Sequence, residues 1–120
     1  MRKVQLEYAT KSVLLIVAAS MIVFAGLRSW VTAEAPSDKG ANLFQEKGCS
    51  QCHFTDSRKT KIGPGLEGLF NRERLPLSGR AVTEQNVKQQ MIDPFENMPS
   101  FADRLTDREV DAIAAHLKTL

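Results

Sequence analysis

Five consecutive residues, Cys49-Ser50-Gln51-Cys52-His53, constrain this chain more than any other stretch. C-x-x-C-H is the pattern for covalent attachment of a c-type haem. Two thiols add across the two vinyl groups on one side of a porphyrin, and a two-residue gap lets one turn of backbone put both sulfurs on that side. The next residue, His53, then has its imidazole under the ring, where it can bind iron as the proximal ligand. These are the only two cysteines of the 120 residues, and His53 is one of only two histidines. A zinc site needs about four ligands, and no second Cys/His pair is present to complete one. A thioredoxin-like C-x-x-C belongs at a helix N-terminus after an apolar strand, whereas this one follows a helix-like stretch ending in Gly48. A disulfide across two residues would be strained and would leave His53 unexplained.

The N-terminus divides from the rest. Arg2, Lys3 and Lys11 precede an uncharged run from Ser12 to Leu27, followed by Arg28, Trp30 and Ala33-Glu34-Ala35. A positive n-region, an apolar core and an A-x-A site describe a secretory signal peptide cleaved near Ala35. An uncleaved membrane anchor is the alternative. A helix over Ser12–Leu27 covers about 24 Å against a hydrocarbon core of about 30 Å, a gap that snorkelling Lys11 and Arg28 and an interfacial Trp30 can close. The apolar core is long for a signal peptide and the A-x-A lies well beyond its end, so the anchor is the preferred reading, with cleavage left open. Either way the positive end stays in the cytoplasm and residues 36–120 lie on the periplasmic side of a bacterial inner membrane, where haem is attached and where cysteines are tolerated. The expected division is therefore 1–35, signal peptide or anchor with linker, and 36–120, the functional domain.

Residues 36–120 carry 12 basic and 12 acidic residues, so the formal +2 of the whole chain comes from the N-terminus. A neutral domain is not that of a nucleic-acid binder. Its charge is uneven: residues 39–61 are net basic and residues 93–111 net acidic. A domain of this size is small for a self-sufficient core, and a covalent apolar macrocycle would add buried surface.

In chain order, Ser37 or Asp38 is a plausible N-cap for a helix over 38–47, with Ala41, Leu43 and Phe44 on its buried side and Gly48 ending it. Residues 54–67 lack periodicity. Gly63-Pro64-Gly65 reads as a turn allowing close backbone approach, and the Pro64 carbonyl is the candidate acceptor for the second ring N–H of an iron-bound His53. A short helical turn over Glu67–Phe70 points Leu66, Leu69 and Phe70 inward. Thr83 caps a helix over 84–92 with Val87 and Met91, and also Ile92, facing in, until Pro94 stops it. Thr106-Asp107-Arg108-Glu109 is a capping box opening a last helix to about Thr119, with Val110, Ile113, Ala114, Leu117 and Leu120 on one face. The domain reads as all-α, with three main helices, a short helical turn and loops around a cofactor, preceded by one N-terminal hydrophobic helix.

For the sixth iron ligand the candidates are Met98, Met91, His116 and an open position. Met98 sits in an aperiodic loop before Pro99, with no helical face to pack on, and is preferred. Met91 has a helical core position, where Met is a gap-filler.

With these features the domain resembles the class I, single-haem cytochromes c, in particular the short bacterial ones. The resemblance covers nearly all of 37–120: the Gly40/Phe44 helix, C-S-Q-C-H, G-P-G-L, the D-P…M-P-S-F segment and the capped last helix. It implies the cytochrome c fold, one haem c with its iron, thioethers at Cys49 and Cys52, His53 and Met98 as axial ligands, Pro64 supporting His53, and Leu66, Leu69, Phe70, Val87, Met91 and Phe101 packing the haem pocket. It also implies that the first and last helices cross, with Gly40 allowing close approach and Phe44 packing near His116 or Leu117. The family often carries Tyr about where His116 stands. Arg58, Lys59 and Lys61 read either as part of a charged rim around an exposed haem edge or as an ordinary solvated loop. The expected function is one-electron transfer between redox partner proteins, as a carrier or as a subunit of a membrane complex, with no enzymatic chemistry. Two other readings stay open: a haem enzyme or gas sensor from which Met98 is displaced, and a haem-free thiol–disulfide oxidoreductase.

Overall fold

The computed structural model describes residues 33–120; the expected N-terminal hydrophobic helix, signal or anchor lies outside the described residues. Among the described residues four α-helices and one 3-10 turn follow in order: α1 (Pro36–Glu46), α2 (Cys49–Cys52), the 3-10 turn (Leu69–Asn71), α3 (Glu84–Ile92) and α4 (Asp107–Leu117). Among the described residues no strand is present, only an isolated antiparallel bridge between Arg74 and Ala81. No described helix is long and apolar enough to cross a membrane.

Helix α1 starts earlier than its polar residues suggest. Ala35 is the N-cap and Pro36 the first helical residue, so the expected cap at Ser37 or Asp38 is corrected. Proline is pre-set for that position because its φ is fixed and it has no N–H to leave unpaired. The amides of Asp38 and Lys39 donate to the Ala35 carbonyl instead. Gly48 ends the turn after α1 at φ +81° and opens α2, a left-handed conformation that suits glycine. The 3-10 turn sits later than expected because Gly68, at φ +61°, keeps Glu67 out of it. Helix α3 has the expected bounds, with the Thr83 hydroxyl accepting from the Asn86 amide at 3.1 Å. At α4 the capping box is complete: the Thr106 amide donates to Glu109 Oε2 at 2.8 Å, and the Glu109 amide to Thr106 Oγ1. The helix stops at Leu117, short of Thr119, whose amide and hydroxyl both turn back onto the His116 carbonyl.

Helices α1 and α4 cross at Gly40. A β-carbon there would lie 1.9 Å from the Ala112 carbonyl oxygen and 2.8 Å from His116 Cβ, so only glycine allows this approach. One turn on, Phe44 meets the His116 ring edge-on at 5.9 Å. Around this crossing Phe44, Ile113 and Ala114 are the most buried side chains. Helix α3 joins α4 through charges at the surface: Lys88 pairs with Glu84 at 2.5 Å and Asp111 at 2.7 Å, and Lys118 reaches Glu84 as well. The three helices thus wall one side of an apolar cavity of about 230 Å³, and the loops close the rest.

Candidate functional site

Helix α2 is a single turn, closed by the His53 amide on the Cys49 carbonyl at 3.0 Å. It sets Cys49 and Cys52 on the cavity wall, both as free thiols and half-buried. Burial pushes the Cys49 thiol above its ordinary pKa, against a smaller opposing pull from its own backbone hydrogen bond and from Arg104.

His53 is held by the chain on either side of it. The Gly63 amide donates to the Cys52 carbonyl and the Leu66 amide to the Phe54 carbonyl, each at 2.8 Å. These two bonds bracket His53 and bring Pro64 opposite it, so His53 Nδ1 lies 2.8 Å from the Pro64 carbonyl oxygen. A carbonyl only accepts, so Nδ1 carries the proton of this bond and Nε2 is the ring nitrogen left for another partner. Gly63 lies flat against the ring: a β-carbon there would come within 2.4 Å of Cε1. At Gly65 a β-carbon would strike the Ser57 carbonyl at 2.1 Å, and the Gly65 carbonyl accepts from the Arg72 guanidinium at 2.9 Å. Both glycines of G-P-G are therefore required by close approach.

Met98 lines the same cavity, half-buried, in a loop fastened at its far end. The Phe101 amide donates to the Met91 carbonyl at 2.9 Å, and the Ser100 hydroxyl to the Ile92 carbonyl at 2.6 Å. Phe101 is buried and carries Arg104 over its ring at 4.6 Å. The Arg104 carbonyl accepts from Lys47, which also pairs with Glu109 at 3.1 Å, joining this loop to the end of α1 and the start of α4.

The cavity brings together Cys49, Cys52, His53, Pro64 and Met98, with Leu66, Leu69, Val87, Met91 and Phe101 in its apolar walls. Phe70 is not among the lining residues, so that part of the expectation is corrected: half-buried, it packs against the core, with the Lys118 ammonium 5.8 Å from its ring. His116 is absent from the lining too, being committed to Phe44 at the helix crossing. Gln90, Ile62, Leu77 and Phe95 join the lining without having been expected there. Gln90 follows Val87 by three positions and precedes Met91, so it lies on the inward face of α3; its polarity masks that signal. Ile62, Leu77 and Phe95 are apolar but sit in aperiodic loops, and they are the large exposed hydrophobic residues of the described domain.

Residues 37–120 match the sequence profile of the family described as "Cytochrome c". The chain belongs to the cytochrome c family. Among its relatives is "Cytochrome c" of Stellaria longipes, 43% identical over 54 residues, 44% of this chain and 49% of that protein. "Cytochrome c" of Arabidopsis thaliana is 39% identical over 64 residues, 52% of this chain and 55% of that protein. "Cytochrome c2 iso-2" of Magnetospirillum molischianum is 26% identical over 87 residues, 60% of this chain and 90% of that protein. The chain spans about half the length of the first two relatives. The cofactor of a cytochrome c is covalently bound haem c with its iron. The cavity suits it: two thiols stand one helical turn apart, an imidazole has one nitrogen already committed to a carbonyl, and the other walls are mostly apolar with two thioethers among them.

Proposed function

We propose that this cytochrome c carries single electrons between redox partner proteins, on the periplasmic side of a bacterial inner membrane, as a carrier or as a subunit of a membrane complex. The observation that carries the reading is the His53–Pro64 bond of 2.8 Å within the cavity that Cys49 and Cys52 border. Haem, when bound, supplies a one-electron ferrous–ferric couple. Cys49 and Cys52 would hold the haem through thioether bonds, their S–H groups being the ones placed to be taken up by its two vinyl groups. His53, its ring oriented by the Nδ1–Pro64 bond, would offer Nε2 to the iron. Met98, in the cavity lining, would supply a thioether as a second iron ligand, and a soft sulfur paired with imidazole favours the reduced metal.

Two features favour a carrier over the other chemistries. The Met98 loop is tied to the end of α3 by Phe101 and Ser100, which supports a ligand that stays in place rather than one a gas displaces. The Cys49 thiol is pushed up by burial, whereas a thiol–disulfide oxidoreductase needs a depressed one. The periplasmic location rests on the basic N-terminal residues, the uncharged run from Ser12 to Leu27 and the Ala33-Glu34-Ala35 site, with an anchor keeping the domain near its partners.

Substitution of the two methionines tests the assignment. Met98→Ala is expected to keep the haem attached, lose the sulfur-to-iron charge-transfer band of the ferric protein, lower the midpoint potential and admit carbon monoxide when reduced. Met91→Ala keeps that band and costs about 2–5 kcal/mol of stability as a buried large-to-small change. Exchanged results would assign the axial sulfur to Met91. Rapid carbon monoxide binding by the unmutated protein would favour a gas-binding function.

A further inference from the structure

Two buried side-chain polar atoms of the described residues have no hydrogen-bond partner: the Ser78 hydroxyl oxygen and Gln90 Oε1. One belongs to the wall of the cavity and the other sits directly behind a wall segment in sequence. Gln90 lines it from α3. Ser78 directly follows Leu75, Pro76 and Leu77, which all line it, in a turn closed by the Gly79 amide on the Leu75 carbonyl at 3.1 Å. A buried polar atom without a partner costs about 1–3 kcal/mol, and native proteins keep few of them. One such atom in the cavity wall and a second beside the Leu75–Leu77 wall point to a polar group shared between them.

The chemistry of the cofactor identifies that group. A haem bonded through its vinyl edge to Cys49 and Cys52 carries its two carboxylates on the opposite edge, away from α2. Burying a carboxylate demands hydrogen-bond donors. No lysine or arginine lines the cavity, and its charged lining residue is Glu96, a carboxylate itself. Arg72, the half-buried cation nearest in sequence to this turn, already donates to the Gly65 and Glu67 carbonyls.

We propose that the Ser78 hydroxyl and the Gln90 side-chain amide hold the haem carboxylates, fixing the ring in its plane at the edge far from the cysteines. Ser78 donates its O–H. The oxygen and nitrogen of Gln90 exchange places by a half-turn of the amide, so the buried position presents N–H to a carboxylate. The grip uses neutral donors, which satisfy the carboxylates without cancelling their charge. This assignment rests on the covalent-haem reading above.

Resonance Raman spectroscopy of the matured, reduced protein reads the haem propionate bending mode directly. Ser78→Ala and Gln90→Leu are each expected to move that mode toward the position of an unbonded propionate, with the sulfur-to-iron band of the ferric protein unchanged. Ser78→Thr keeps the hydroxyl and leaves the mode in place. An unmoved mode in either removal variant overturns the assignment. So does a Gln90→Leu protein in which the sulfur-to-iron band shifts instead, since that sets Gln90 against Met98. If a variant fails to mature, the crystal structure of the unmutated holoprotein decides. Both side chains within about 3.2 Å of a carboxylate oxygen support the assignment, and either one beyond about 4 Å overturns it. A protein without covalent haem on a denaturing gel would overturn both this assignment and the reading beneath it; a coloured holoprotein with an unmoved mode overturns this assignment alone.

Discussion

At the scale of single residues, the site depends on atoms that are absent as much as on those present. Gly63 lets a backbone lie against the His53 ring, and a methyl group there would sit 2.4 Å from Cε1. Gly63→Ala is therefore expected to turn the imidazole away from Pro64 and lower the yield of matured protein. Its residual holoprotein should show a weakened or high-spin ferric spectrum, measured against the unmutated protein at equal expression. Wild-type yield and spectrum would show that the ring has room the geometry denies. Leu77 and Glu96 hold positive φ values, +72° and +57°, and both line the cavity. Strain of this kind is kept where surrounding structure imposes it, here at the cavity wall and two residues before Met98.

Residue types also set what could be read in advance. Cys49, Cys52, His53, Pro64 and Met98 could be singled out in advance from C-x-x-C-H and two proline-bearing loops, and the fold brings all five to one cavity. Gln90, Ile62, Leu77 and Phe95 were not, because a polar residue on a helix face and apolar residues in loops carry no periodic signal. Phe70 was expected to point inward and does pack on the core, but a 3-10 turn of three residues is too short for spacing to say whether a ring reaches the cavity.

At the scale of elements, helix ends and charge pairs hold α4 in place. Thr106→Ala removes one side of the capping box and should cost about 1 kcal/mol, read as a lower midpoint in denaturant unfolding. Glu109 is pulled down to about 2 by the Thr106 amide and then by Lys47, and Glu84 to about 2 by Lys118 and then Lys88. A carboxyl with a folded pKa below its unfolded value stabilises the fold at pH above the unfolded value. That contribution is lost as pH falls from about 4.5 toward 2. Glu84 is exposed and Glu109 only half-buried at the surface, so the effect is small and screened by salt. Glu109→Gln should flatten the acid limb of the stability curve; an unchanged limb would show that the pair does not matter in solution. The start of α1 escaped sequence reasoning because proline at the first helical position replaced the polar cap that Ser37 and Asp38 suggested. The end of α3 was legible because Pro94 forbids continuation.

At the scale of the whole molecule, the cavity rim is the expected meeting place with redox partners. Ile62, Leu77 and Phe95 are exposed there. Lys61 stands beside Ile62, fixed by donation to the Ser50 carbonyl at 2.9 Å and by the Phe54 ring at 5.3 Å. Cations flanking an apolar rim steer encounter with an acidic partner more than they add affinity. Electron transfer to such a partner should slow as ionic strength rises, and Lys59→Glu with Lys61→Glu should remove most of that salt dependence in stopped-flow kinetics. A rate indifferent to salt would place docking elsewhere. The all-α arrangement was legible from caps and periodicity alone. The way the loops close on one cavity was not, because backbone bonds such as Leu66 to Phe54 leave no mark in side-chain pattern.

The central claim is that Cys49 and Cys52 bind one haem covalently in a domain that carries electrons. The intact mass of the denatured, matured protein tests it most directly. The account predicts the polypeptide plus one haem, with neither thiol open to alkylation. The mass of the bare polypeptide, with two thiols that alkylate, would contradict it.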